Sequence, residues 1–222
     1  MKSYTAPSIN WTLSSSAGSH YETGESVTVN ASISRTSPFV NITGYQLYQQ
    51  TNGGSWASIG DFESLSAAGG AIQQYIYGNG SSVNSTRFRV AVTDSEGSTN
   101  HESQTISFRN ASYFGISTTP PGSLSSSTFG DLNKLLLTGK EYSVTGVTAE
   151  QGEYTWYIYP ADRPLIQTIN MGVTPIYSGG EGAFSIETED FNYENDYGVN
   201  IIYRAYVSNA DAAFGNDPLE FI

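Results

Sequence analysis

Apolar residues recurring at every second position, over short segments, place the strongest constraint on what this chain can fold into. Val27, Val29, Ala31 and Ile33 alternate with Thr28, Asn30 and Ser32, and Phe88, Val90 and Val92 alternate with Arg87, Arg89 and Ala91. Toward the C-terminus Val199, Ile201, Tyr203, Ala205 and Val207 alternate with Asn200, Arg204 and Ser208. Successive side chains of a strand point to opposite faces, so this period marks strands with one buried face. The ten Phe and 16 Tyr, many beside β-branched residues, favour strands, and Gly, Ser, Thr and Asn crowd the gaps between apolar runs as turn formers.

In the first half, strands are expected over Pro7 to Leu13, Glu22 to Ile33, Ile42 to Gln49, Ile72 to Tyr77, Thr86 to Thr93 and Ser103 to Phe108. The proline makes the first an edge strand, because it has no amide proton for a ladder. Asn52-Gly53 supplies positive φ for a tight turn, beyond which Trp56 and Ile59 cover the sheet, and Asp94 to Asn100 reads as a polar turn. About seven short strands in about 100 residues, with frequent turn signals, is the spacing of a sandwich.

In the second half, strands are expected at Tyr113 to Ser117, Tyr142 to Val147, Gly152 to Tyr159 and Ala183 to Ile186. Trp156 and Ile158 lie on one face of the third of these and Tyr157 and Tyr159 on the other, which requires cover on both sides. Thr128 to Leu137 carries the one helical signal. Thr128 caps it, Asp131 follows near its start, Phe129, Leu132 and Leu136 share a face, and Gly139 comes after its end. Asp196 to Ile222 reads as a closing β-hairpin, with Leu219, Phe221 and Ile222 pairing back on the strand before them. The fold class is all-β: two β-sandwich domains in tandem, residues 1–109 and 110–222, the second with one short helix.

Two resemblances add to this reading. The run Thr86 to Thr99 resembles the last hairpin of bacterial and phage immunoglobulin-like domains, and Glu22 to Val29 resembles the second strand of that family. The first sandwich is therefore expected to be immunoglobulin-like. Y-F-G-I-S at 113–117, the helix, Y-T-W-Y-I-Y-P at 154–160 and Y-R-A-Y-V-S-N at 203–209, followed by Leu219 to Ile222, resemble a β-rich C-terminal module of structural proteins of tailed bacteriophages. That family usually has A-Y-P where this chain has Ile158-Tyr159-Pro160, and Y-R-V-Y where Ala205 replaces the valine. The module is a building part of the virion, so the resemblance implies no catalytic residues and no cofactor.

The chain carries 21 acidic and nine basic residues, a formal charge of −12. Phosphate backbones are bound by clustered Lys and Arg, so nucleic acid is excluded as an expected partner. There is no cysteine, and no run approaches the ~20 apolar residues of a membrane span. The N-terminus lacks the apolar core of a secretory leader, which leads to the expectation of a protein assembled in the host cytoplasm.

Among candidate sites, Glu187, Glu189, Asp190, Glu194 and Asp196 offer hard oxygens for calcium, but without the glycine of an EF-hand loop, and a solvated acidic loop is the preferred reading. Glu22 and Glu25 form a carboxylate pair of the kind glycosidases use, with surface solvation preferred. His20 and His101, each without a neighbouring His or Cys, read as exposed turn residues, which excludes an ordinary zinc site. Six N-x-S/T sequons, at Asn10, Asn30, Asn41, Asn79, Asn84 and Asn110, are close to chance in so Asn-, Ser- and Thr-rich a chain. The glycine-rich pieces at 53–55 and 179–182 lack the lysine and helix of a phosphate cradle and read as hairpin turns. Tyr45, Tyr48, Tyr157, Tyr159 and Tyr206 offer rings for stacking on sugar or docking a protein, with sheet-face packing as the preferred role. Catalytic, cofactor and metal residues are accordingly expected to be none.

These readings converge on a non-enzymatic virion structural protein of a tailed phage, an exterior head-decoration or fibre subunit or a tail or baseplate component. Its expected partners are other virion proteins, with copies repeated by particle symmetry or as a homo-oligomer. The alternative is an adhesin for host-surface glycan, and the third reading is a polysaccharide hydrolase. A cleft lined by tyrosine and acidic residues favours glycan binding, a close carboxylate pair favours hydrolysis, and neither favours a scaffold.

Overall fold

The computed structural model describes residues 4–13, 20–78, 84–178, 180–209, 214 and 216–222. The chain divides into two compact units, Met1–Phe108 and Arg109–Ile222, and is all-β with one short helix among the described residues. That helix is far too short to cross a membrane.

The first unit is built from β1 (Ser8–Leu13), β2 (His20–Glu22), β3 (Ser26–Ser34), β4 (Ile42–Thr51), β5 (Ala57–Ser64), β6 (Gly69–Ala71), β7 (Tyr75–Gly78), β8 (Ser85–Asp94), β9 (Gly97–Glu102) and β10 (Ile106–Arg109). One sheet runs β1-β3-β6, with β7 also on β3; the other runs β2-β10-β8-β4-β5, with β9 also on β8. The inward residues of β3, Val27, Val29, Ala31 and Ile33, meet Tyr45 and Leu47 of β4 and Phe88, Val90 and Val92 of β8 in one core. Each fully buried aliphatic or Phe side chain there contributes about 1.5–3 kcal/mol relative to exposure. Strand β1 is an edge, paired only with β3 among the described residues, and Pro7 lies just before its first residue, outside the ladder. The Asn52-Gly53 turn has φ of 49° and 70°, the left-handed geometry that pair adopts cheaply.

Three segments differ from the sequence reading. The strand expected from Ile72 to Tyr77 begins only at Tyr75, as β7 on residues 26–29 of β3, and a separate short strand not foreseen, β6, pairs with residues 32–34 of β3 ahead of it. Ala57 to Ser64, read as cover beyond a turn, is the edge strand β5. Gly97 to Glu102, read as part of a polar turn, is β9, and β10 starts only at Ile106. Strands β9 and β10 line the same side of β8 in succession; between them Ser103 Oγ accepts the Phe88 amide at 3.0 Å. Edge strands hide few side chains, so β5 and β9 carry polar and small residues that mimic loops.

The second unit adds β11 (Ser112–Ser117), α1 (Ser126–Asp131), β12 (Asn133–Leu135), β13 (Tyr142–Val144), β14 (Tyr154–Pro160), β15 (Thr168–Met171), β16 (Thr174–Ser178), β17 (Glu181–Gly182), β18 (Phe184–Glu194), β19 (Asn200–Ser208) and β20 (Leu219–Phe221). One sheet runs β12-β11-β14-β19-β18 and the other β13-β20-β15-β16-β17. Between them lies a core of Phe114, Tyr157, Tyr159, Tyr206, Ile169, Tyr177, Leu219 and Phe221, among others. A second core lies on the other face of the first sheet, where Tyr113, Trp156, Ile158, Ile201, Tyr203, Ala205 and Val207 are covered by Phe129 and Leu132. Strand β14 is thus buried on both faces, as its pattern required.

The cover of that outer face is an irregular segment with one short helix, and the sequence reading of it is corrected. The helix spans Ser126–Asp131 rather than Thr128 to Leu137, its N-cap is Ser125, and Asn133 to Leu135 leave it to pair with β11. Thr128 sits three residues inside, where its Oγ1 accepts the Ser125 amide at 3.3 Å. Gly115 of β11 makes the close approach possible: a Cβ there would lie 3.3 Å from Leu132 Cδ2.

The closing hairpin is corrected as well. Strand β20 does not return to β19 but crosses to the second sheet, between β13 and β15. Strand β19 pairs instead with β14 and β18.

Candidate functional site

The acidic run is not a loop. Glu187, Glu189, Asp190 and Glu194 belong to β18, an edge strand of 11 residues with two register shifts along its pairing with β19. Glu187 accepts the amides of Gly122 and Leu124 at 2.7 and 3.3 Å and so ties the outer cover to the sheet, while Asp196 pairs with Lys134. Among the described residues no group of three or more His, Asp or Glu side chains is arranged to hold a metal ion.

Glu22 and Glu25 are not a solvated pair. Glu22 is buried, and a Glu25 carboxylate oxygen accepts the Glu22 amide at 3.1 Å across the turn that starts β3. Neither histidine sits in an exposed turn. His20 opens β2, and His101 lies half-buried in β9 opposite Val90, where its Nε2 is enclosed without a hydrogen-bond partner and burial lowers the imidazole pKa. Of the sequons, Asn79 lies outside the described residues; of the glycine-rich pieces, residue 179 does too.

Four of the five tyrosines are buried, and Tyr48 is half-buried. In the second unit, Tyr157 donates to the Lys140 carbonyl at 2.6 Å, Tyr206 donates to the Ile166 carbonyl at 3.2 Å, and Tyr159 accepts the Ile166 amide at 3.2 Å. Burial pushes the Tyr157 and Tyr206 phenols well above their ordinary pKa. These rings are core members with satisfied hydroxyls and present no surface for stacking.

The structure instead assembles a concave site at the open side of the first sandwich. A groove of about 190 Å³ runs between edge strand β5 and the β6–β7 connection, lined by Tyr45, Leu47, Ile59, Gly60, Asp61, Glu63, Gln73, Gln74 and Tyr75. Its shape follows from a bulge: Leu47 faces Ile59 and Tyr45 faces Glu63, so β5 spends three residues where β4 spends one. Gly60 turns the chain there at φ 64°, and Gln46 Nε2 fills the broken ladder by donating to the carbonyls of Ile59 and Gly60 at 3.2 and 3.0 Å. The bulge brings Glu63 opposite core-facing Tyr45. On the other wall Tyr45 Oη accepts the Gln73 amide at 2.7 Å, tying the second sheet to the first.

The chain matches no protein-family model, no curated protein and no solved structure. Its chemistry is therefore argued from its own residues. The groove joins segments about 15 to 30 positions apart in sequence, and only Tyr45 among its polar lining had been singled out. The signal for the rest was weak: a lone glycine inside β5, flanked by Ile59 and Asp61, is the mark of a bulge. A second, more open depression follows β13 and β20 past Glu141, Tyr142, Ser143 and Glu220.

Proposed function

We propose that this protein is a non-enzymatic structural component of a tailed-bacteriophage particle, an exterior head-decoration or fibre subunit or a part of the tail or baseplate. It works by docking preformed β surfaces to other virion proteins, with copies repeated by the particle's symmetry. The observation that carries this reading is where the resembling motifs fall. Y-F-G-I-S, Y-T-W-Y-I-Y-P and Y-R-A-Y-V-S lie on β11, β14 and β19, three adjacent strands of one sheet. The fourth strand piece of the resemblance, Leu219 to Ile222, lies on β20 in the other sheet of the same unit. In this reading the first sandwich is an immunoglobulin-like domain.

The surface chemistry supports docking. Phe39, Phe62, Ile76 and Val173 are exposed apolar side chains, and among the described residues β5 and β18 each have a strand neighbour on one side only. The test is cosedimentation of the purified protein with phage particles that lack it. Saturable binding at a fixed number of copies per particle is the expected result. Saturable binding to host cells with no binding to particles would overturn the proposal.

A further inference from the structure

From the groove beside β5 we infer that the first unit binds a neutral sugar residue. This goes beyond the structural role and holds whether or not the protein is mounted on a particle. The inference starts from the mixture of lining groups. Asp61 and Glu63 are acceptors, the Gln73 and Gln74 amides both donate and accept, and Leu47, Ile59 and the Tyr75 ring supply apolar surface. A pyranose presents the matching set, hydroxyls that donate and accept around its rim and C–H groups on its faces. A peptide ammonium or a metal ion would use the carboxylates and leave the amides and the apolar floor without purpose.

Size and charge narrow the ligand. At about 190 Å³ the groove is smaller than the ~300–1,000 Å³ of typical small-molecule sites and suits one sugar unit, open to solvent so that a longer chain continues outward. Two carboxylates in the wall repel uronic, sialic and sulfated sugars, so the sugar is uncharged. The backbone of the walls is preorganised before any ligand arrives, because Gln46 holds the bulge and Tyr45 Oη holds the Gln73 backbone N–H. Preorganisation spares the site an ordering cost on binding.

The groove can also be read as edge protection, since a bulge and an inward-turned carboxylate are devices that keep an edge strand from pairing with another chain. That role needs Glu63 and the bulge but places no demand on Gln73 or Gln74, so the two readings separate experimentally. The probes are methyl glycosides of glucose, galactose, mannose and N-acetylglucosamine, with methyl glucuronide as the anionic control, titrated into the full chain and followed by amide chemical shifts. The expected result is saturable binding of at least one neutral glycoside in the millimolar range, with shifts centred on residues 59–63 and 73–75 and no binding of the glucuronide. Asp61→Ala and Gln74→Ala each weaken it tenfold or more while leaving the remaining spectrum unchanged. Absence of saturable shifts with every neutral glycoside, equal binding of the glucuronide, or binding indifferent to both substitutions would overturn the inference. Because particles are not involved, these outcomes are independent of the cosedimentation result.

Discussion

The two units solve the same problem, burying the apolar faces of antiparallel sheets, with different numbers of layers. In the first, two sheets close over one core and their outer faces meet water, so β3 reads Val27-Thr28-Val29-Asn30-Ala31-Ser32-Ile33, buried and polar by turns. In the second, the sheet containing β14 and β19 is a middle layer, with Tyr157, Tyr159 and Tyr206 facing one core and Trp156, Ile158 and Ala205 facing another. A strand covered on both sides has no polar face to display, and β14 has lost the alternation accordingly, so its second face must be covered by a third layer found elsewhere in the chain. Strand β19 keeps the alternation over Asn200 to Arg204 and is buried without a break only from Ala205 on.

Here that third layer is the segment from Thr118 to Leu132, held by side chains rather than by a ladder. Trp156 Nε1 donates to the Thr119 carbonyl at 3.2 Å, Ser117 Oγ donates to Asp131 Oδ2 at 2.6 Å, and Glu187 accepts two amides from the loop. Phe129 stacks on Tyr193 with centroids 3.9 Å apart and meets Tyr203 edge-on. Elsewhere in the unit, Arg163 donates to Ser112 Oγ and to the carbonyls of Asn110, Leu137 and Gly139, at 2.7 to 3.1 Å. One guanidinium thus organises the chain on either side of β12.

The contrast can be broken most forcefully at Trp156. Trp156→Ala is expected to destabilise the second unit by about 3–5 kcal/mol, and Phe88→Ala is expected to cost the first a similar amount. Calorimetric unfolding measures both, and a loss under about 1 kcal/mol at Trp156 would mean that the outer layer is not packed. Arg163→Met comes next: it keeps the stem but strands four acceptors, with an expected loss of about 3 kcal/mol. Denaturant midpoints at unchanged slope check it.

Glu187→Ala should cost about 1 kcal/mol, with proteolytic nicking near Gly122 as the local readout. Glu189→Ala, on the same strand but exposed and without such a role, is the control. The smallest effect concerns pH. His101 has a folded pKa below its ordinary 6.5, so the unfolded chain binds its proton more readily. Stability is therefore unaffected by this residue above about pH 6.5 and falls as pH drops below it. Thermal unfolding of wild type and His101→Gln between about pH 7.5 and 5 should show a shallower fall in the variant.

How much of this was legible in the sequence follows the same division. Strands β3, β4 and β8 were readable almost residue by residue, because water on one face and core on the other wrote a period of two. Trp156 to Tyr159 revealed that β14 was covered on both sides but not by what. The helix was overextended because Phe129, Leu132 and Leu136 fit a helical stripe, whereas Leu132 and Leu136 reach the outer core from nonhelical backbone on either side of β12. Strand β20 was assigned to the wrong sheet because short apolar strands carry no label of their partner. The groove was invisible for a different reason. It depends on a register shift at Gly60, and register is a property of two strands that neither sequence states alone.

Since the chain has no cysteine, single introduced thiols test the layer count directly. Ala205→Cys places a thiol on the outer face of the middle sheet at a fully buried position, and Ser32→Cys places one on the exposed outer face of β3. The three-layer account predicts rapid labelling at position 32 under native conditions, and labelling at position 205 only at the rate of unfolding. Equal, rapid labelling at both positions would show that the outer face of the middle sheet meets water, and would contradict it.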